Sequence, residues 1–200
     1  ALAAKTFNPR LGIMGGLSIL GTQGRVRPFS CSALRESLKS VLNVAWAAGI
    51  RTPVFVPGHI GARAALKHFS IFSDQIIEVG NEWGFILDEA ASLGFKDALV
   101  LGHPGKLAKL ATGDWDTHSS RSRSALSCVS QMTMECLGRD FSDVSTVEGI
   151  FALLPEIQRR NLGNLVAGRI REAITGRLGR AAVTVILVDM KGNILGAAGD

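Results

Sequence analysis

Apolar residues recur along the chain in two alternating rhythms. Between Ser32 and Ala48, Leu34, Leu38, Val41, Leu42 and Ala45 return every three or four positions, while Arg35, Glu36 and Lys39 fall off that stripe. This spacing predicts an amphipathic helix, capped by Ser30 or Ser32 and stopped at Gly49. Thr52 to Val56 (TPVFV), Gln75 to Val79 (QIIEV) and Asp97 to Leu101 (DALVL) are short β-rich runs and read as strands. Each leads through glycines into a helical stretch: Ala62 to Phe69, Phe85 to Leu93, and Gly105 to Thr112. A polar loop, Gly113 to His118, follows. Ser119 to Leu137 is predicted helical, with Leu126, Val129, Thr133 and Cys136 on one face, and Val147 to Leu153 forms a shorter piece. The strongest stripe is Leu162, Leu165, Val166, Ile170, Ala173, Ile174 and Leu178, a helix from Asn161 to Leu178 whose Arg169, Arg171 and Arg177 read as a solvated face. Ala181 to Val188 is a buried strand, turned by Met190 to Asn193 into a last hairpin arm, Ile194 to Ala198.

Strand, glycine-rich turn and helix thus repeat, which predicts an α/β fold: a Rossmann-like parallel sheet flanked by helices. Residues 8–140 form the expected ligand-binding domain. Residues 141–200 add the long helix and the hairpin, and the pattern leaves open whether these belong to a second α+β domain. Ligands in such sheets bind at the carboxyl ends of the strands. Four exits on that edge carry glycine: GGLSILGTQG, PGHIG, GNEWG and GHPGK. The densest is in NPRLGIMGGLSILGTQG at 8–24, with five glycines between Gly12 and Gly24. It reads either as a strand opening into a ligand cradle, whose amides can face an anion, or as a tight turn. Its spacing is not the dinucleotide fingerprint.

Composition narrows the classes. The chain has 200 residues, 46% of them hydrophobic, enough for a substantial core. The longest apolar run, Ala181 to Val188, is far short of the ~20 residues that span a membrane. No signal-peptide pattern or initiator Met opens the chain, so a start within a longer protein is expected. Cys31, Cys128 and Cys136 form no C-x-x-C, which suggests reduced thiols, a cytoplasmic setting and core packing for the last two. A net charge of +5 favours an anionic partner. The lack of Tyr and of basic runs interleaved with aromatics argues against nucleic acid.

Several residues could carry chemistry. In GHPGK two residues separate Gly102 from Gly105, where a P-loop has four, yet Lys106 sits at a helix start suited to a carboxylate or phosphate. His59 and His103 follow strand exits and His118 lies in the adjoining loop; each suits general acid–base work or plain loop hydrogen bonding. Asp114, Asp116 and His118 lack a metal-ligand spacing, so no protein metal site is expected. Ser119 to Arg123 could grip an anion or simply cap a helix. No G-x-S-x-G elbow is present.

NPRLGIMGGLSILGTQG at 8–24, VPGHIG at 56–61, GNEWGFILDEA at 80–90 and LGHPGKLAKLATGDWDTHS at 101–119 together resemble the cobalt-precorrin-5B C1-methyltransferase family of anaerobic cobalamin biosynthesis. The resemblance implies methyl transfer from S-adenosylmethionine to C1 of a cobalt-bound corrin precursor, with cobalt entering only as part of the substrate. It also implies an N-terminal α+β domain with a Thr-Gly-Thr motif, of which residues 1–7 would be the tail, and without which this chain is expected to be an inactive fragment if that domain reaches the site. His59-Ile60 departs from the family's Asn-Tyr. On this likeness Gly15, Gly16, Ser18, Gly21, Thr22, Gly58, Gly80 and Asn81 are expected to cradle the methyl donor. Lys106, Lys109, Arg121 and Arg63 are expected to meet the carboxylates of the macrocycle, and His103 and His118 to handle protons. A homo-oligomer is left open. Two rival readings remain. A dinucleotide-dependent oxidoreductase calls for an acidic residue after the second strand, where Pro57-Gly58-His59 stands; a non-catalytic basic binding module predicts steep salt dependence.

Overall fold

The computed structural model describes residues 14–15, 30–179 and 182–199. Apart from Met14 and Gly15, the glycine-rich stretch at 8–24 lies outside them. The described residues form seven α-helices around one five-stranded sheet. In chain order these are α1 (Cys31–Ala47), β1 (Val54–Val56), α2 (His59–His68), β2 (Ile76–Glu78), α3 (Trp83–Leu93), β3 (Asp97–Gly102), α4 (Pro104–Leu107), α5 (Ala125–Leu137), α6 (Val147–Leu153), α7 (Glu156–Leu178), β4 (Ala182–Val188) and β5 (Ile194–Ala198).

The sheet runs β2-β1-β3-β4-β5. The first four strands are parallel and β5 returns antiparallel to β4, so the sheet is mixed. β4 pairs with β3 from Asp97↔Ala182 to Gly102↔Leu187, so the C-terminal hairpin extends the same sheet. The pattern along each strand fits burial on both faces. Phe55, Val100, Val185 and Leu187 pack with α1, α3, α5 and α7 on one face, while Val54, Val56, Leu101, Ile186 and Val188 pack with Ala64 and Ala65 of α2 on the other. No helix among the described residues is long and apolar enough to cross a membrane.

Helix ends depart from the sequence pattern where polar residues decide. α7 starts at Glu156, not Asn161: its first turn follows Pro155, and Ile157 there is exposed, outside the apolar stripe. α2 and α3 begin earlier than expected, at His59 and Trp83. The expected helix Gly105 to Thr112 is a four-residue α4 that tightens into a 3-10 turn, Ala108–Thr112. α5 starts only at Ala125. Residues 119–124 are held in turns by local side-chain bonds that compete with a helix: Ser122 Oγ donates to the His118 carbonyl at 2.8 Å and Arg123 N–H to Asp114 Oδ2 at 3.2 Å. Arg177 is not merely solvated; its Nε and Nη2 both reach Asp88 at 2.7 Å, tying α7 to α3. Cys128 is buried as expected, whereas Cys136 is exposed.

The chain leaves β1 toward β2 on one side, and leaves β3 toward β4 on the other. The carboxyl ends of β1 and β3 therefore form a topological switch point, where open α/β sheets bind ligands. The two exits touch: a Cβ on Gly102 would lie 2.5 Å from Pro57 Cδ. Farther along, α7 meets β5 backbone to backbone, since a Cβ on Gly163 would collide with the Leu195 carbonyl and one on Gly196 with the Gly163 backbone. Gly163→Ala should therefore lower stability by about 1–3 kcal/mol, read from urea unfolding. An unchanged midpoint would contradict this packing.

Candidate functional site

The polar loop after the 3-10 turn folds back onto the β2 exit. Trp115 O accepts from Gly84 N–H at 3.0 Å and Asn81 O from Thr117 N–H at 3.2 Å, while Glu82 and Asp116 form an isolated bridge. Arg177 lies 4.8 Å from the centre of the Trp115 ring, so α7 also clamps this loop. Glu82 is buried and accepts Arg35 Nε at 2.6 Å, an ion pair that raises the Arg35 pKa.

Two lysines lie inside this fold-back. Lys109 is only 6% exposed, and its Nζ donates to the Thr117 carbonyl at 3.0 Å and the Ser122 hydroxyl at 2.9 Å. No carboxylate among the described residues pairs with it. Lys106 Nζ donates to Asn81 Oδ1 at 3.3 Å, and Thr117 Oγ1 donates to the same oxygen at 3.2 Å. Lys106 reaches the surface, yet loss of solvent around its ammonium, and next the charge of Lys109, lower its pKa. Two cations share one edge without a counter-ion among the described residues, an arrangement that favours an anionic ligand.

His103 caps α4: its Nδ1 accepts Gly105 N–H at 2.9 Å. The proton must then sit on Nε2, which lies 2.8 Å from Glu148 Oε2 and donates to it. His118 is exposed, and its Nδ1 lies 2.9 Å from Ser120 Oγ and 3.3 Å from Ser120 N. Both ring nitrogens of His103 are thus engaged within the protein. An open cavity of about 580 Å³ lies beside them, lined by His103, Lys109, Ser124, Thr146, Glu148 and Met190 among others.

The expected site residues divide accordingly. Asn81, Lys106 and Lys109 come together, with His103 and Lys109 on one cavity. Arg121 is engaged by Asp116 at 2.7 Å, and Asp114 by Arg123 at 3.0 Å, so both aspartates of the loop serve arginines. Arg63 is exposed on α2, whose buried residues face the other side of the sheet. His59 is exposed and does not line the cavity with His103. Gly80 turns the β2 exit at φ 65°. Gly58 precedes α2 in near-extended backbone that any residue can adopt. Gly15 is exposed with φ 72°, and Gly16, Ser18, Gly21 and Thr22 lie outside the described residues.

The family model described as CbiD matches residues 1–28, and that of the CbiD C-terminal domain matches residues 116–199. A protein from Syntrophotalea carbinolica named Cobalt-precorrin-5B C(1)-methyltransferase is 51% identical over the whole chain. The chain belongs to the CbiD family. Proteins of the same name from Methanococcus vannielii and Methanocaldococcus jannaschii are 42% and 39% identical over 98% of it. The chain spans 57%, 54% and 56% of these three CbiD relatives and covers their C-terminal portion. No solved structure matches it.

Glu148 carries no motif and escapes a reading of the sequence, and neither the 101–119 motif nor the run 119–123 shows that Thr117 and Ser122 hold Lys109. Glu148 follows Thr146, which caps α6 through Gly149 N–H at 3.0 Å, so it looks like an ordinary first-turn acid. Lys109 reads as a surface cation because its burial comes from residues 8 and 13 positions away. Since the fold disfavours the charged form of Lys106, its stability contribution should improve as pH rises toward the ordinary lysine value of 10.5. Lys106→Met should accordingly cost less than about 0.5 kcal/mol at neutral pH in urea unfolding. A loss well above that would mean that the Asn81 contact outweighs the desolvation.

Proposed function

We propose that this chain is part of an enzyme that methylates C1 of cobalt-precorrin-5B to give cobalt-precorrin-6A, with S-adenosylmethionine as the donor. The observation that carries the reading is the placement, in a CbiD family member, of two lysines without a counter-ion at the carboxyl edge of the sheet. Such an edge suits a macrocycle bearing many carboxylates. The rivals draw no comparable support: the β1 exit offers no acid for a nucleotide ribose.

The cavity fits the donor. Its volume of about 580 Å³ falls within the roughly 300–1,000 Å³ of small-molecule sites, and its lining mixes charged, hydroxyl and apolar groups. When bound, S-adenosylmethionine supplies a methyl already activated on a sulfonium, which passes to the electron pair of C1 as the sulfur becomes a neutral thioether. The work left to the chain is alignment and exclusion of water. Lys106 and Lys109 anchor carboxylates. Asn81, fixed by Thr117 and Lys106, holds the β2 exit in place. His103, whose Nε2–H is already donated to Glu148, holds that carboxylate in place, and His118 keeps its proposed proton-handling role. Arg63 and Arg121 become secondary, Arg121 because Asp116 already occupies it. The glycine-rich stretch at 8–24 keeps its proposed role of cradling the methyl donor. Three unpaired cysteines accord with a reducing cytoplasm.

Calorimetry with S-adenosylhomocysteine, on this chain and on the full-length Syntrophotalea relative, tests the reading. Saturable binding by the full-length protein is expected. Absence of binding by both would remove the methyltransferase assignment.

A further inference from the structure

The cavity below β3 and β4 carries opposite charges on one lining. Lys109, buried and without a carboxylate partner, contributes a cation. Glu148 contributes an anion; its side chain is 41% exposed, and only Oε2 is engaged, by His103. Between them stand hydroxyls. Ser124 occupies the position before α5 but makes no capping bond, so its hydroxyl and the first amides of that 13-residue helix remain available. Leu126, Val147 and Met190 supply an apolar stretch.

A polycarboxylate would meet Glu148 as a like charge and be repelled. A simple cation would meet Lys109. The one common chemistry that satisfies both is a zwitterion with an aliphatic tail. From this we infer that the cavity holds the α-amino-acid end of the methyl donor: Lys109 and the Ser124 hydroxyl take the α-carboxylate, Glu148 takes the α-ammonium, and Val147 and Met190 flank the methylenes. The inference rests on the proposed methyltransferase reading and deepens it. It leaves Lys106 and Asn81, on the adjoining exits, to the corrin substrate. Glu148 thereby becomes a binding residue that no motif announces, and His103 a positioning residue, since its Nε2–H fixes one oxygen of Glu148 and leaves Oε1 for the ligand.

The same carboxylate partner could come from the macrocycle instead, and the test separates the two sources. Calorimetry on the protein expressed at the full length of its relatives compares S-adenosylhomocysteine with 5′-methylthioadenosine, which keeps the nucleoside and thioether but lacks the amino-acid end. The wild type should prefer the former by about 10- to 100-fold, the worth of one or two charged hydrogen bonds. Glu148→Gln, at a partly exposed position that should not impair folding, should erase most of that preference while leaving methylthioadenosine binding unchanged. Lys109→Met, checked for folding by near-UV circular dichroism, should do the same. Equal wild-type affinity for the two ligands would overturn the inference while sparing the methyltransferase reading. So would full preference in Glu148→Gln, or a folded Lys109→Met that binds S-adenosylhomocysteine normally but shows a raised KM for the corrin substrate. Failure of the wild type to bind either ligand would overturn the methyltransferase reading itself, and this inference with it.

Discussion

Among the described residues no carboxylate pairs with the buried ammonium of Lys109, and the carboxyl edge of the sheet is folded around it. An isolated charge inside a protein costs several kcal/mol unless hydrogen bonds offset it. Here the Thr117 carbonyl and the Ser122 hydroxyl do so, which requires the chain from Gly113 to Ser124 to turn back over the 3-10 turn that carries the lysine. That fold-back in turn brings Thr117 to Asn81, Trp115 to Gly84, and Trp115 under the guanidinium of Arg177. A single uncompensated cation thus couples the β2 exit, the β3 exit, the polar loop and α7. An anionic ligand would supply the counter-charge that the protein does not.

The scaffold makes this possible through close backbone approaches. The β1 and β3 exits meet where Gly102 leaves room for Pro57, and α7 lies directly on β5 where Gly163 faces Gly196. The second contact fixes the long helix against the sheet, and Asn164 Oδ1 adds to it by accepting Ala197 N–H at 2.9 Å. From its far turns α7 can then hold Asp88 and the Trp115 loop. Rigid placement of loops on such a frame is what in-line transfer demands, because catalysis with an activated donor depends on orientation more than on strong acids or bases.

Much of the frame was legible in the sequence because it is written in local periodicity. Strands β1 to β5 follow from short β-rich apolar runs and α1 and α6 from the 3.6-residue rhythm, and the glycine-rich turns mark the strand exits. The rest depends on long-range partners. Nothing around Lys109 distinguishes it from Lys106, yet one is buried and the other reaches the surface. The run 119–124 looks helical, but His118, Asp114 and Asp116 capture its serines and arginines in turns. Arg177 resembles any solvated helical cation until Asp88, 89 positions away, closes on it. His103 looks like any loop histidine until Glu148, 45 positions away, takes its Nε2 while Gly105 occupies its Nδ1.

These features support an account in which one edge of a CbiD family sheet grips an anionic corrinoid and aligns it with a methyl donor. The most direct test follows a ¹³C-labelled methyl from S-adenosylmethionine in a single turnover with cobalt-precorrin-5B, using the full-length protein and a folded Lys109→Met variant. The account predicts that the label appears at C1 with the wild type and at least about 10-fold more slowly with the variant. Label absent from C1 in the wild type, or equal rates for the two proteins, would contradict it.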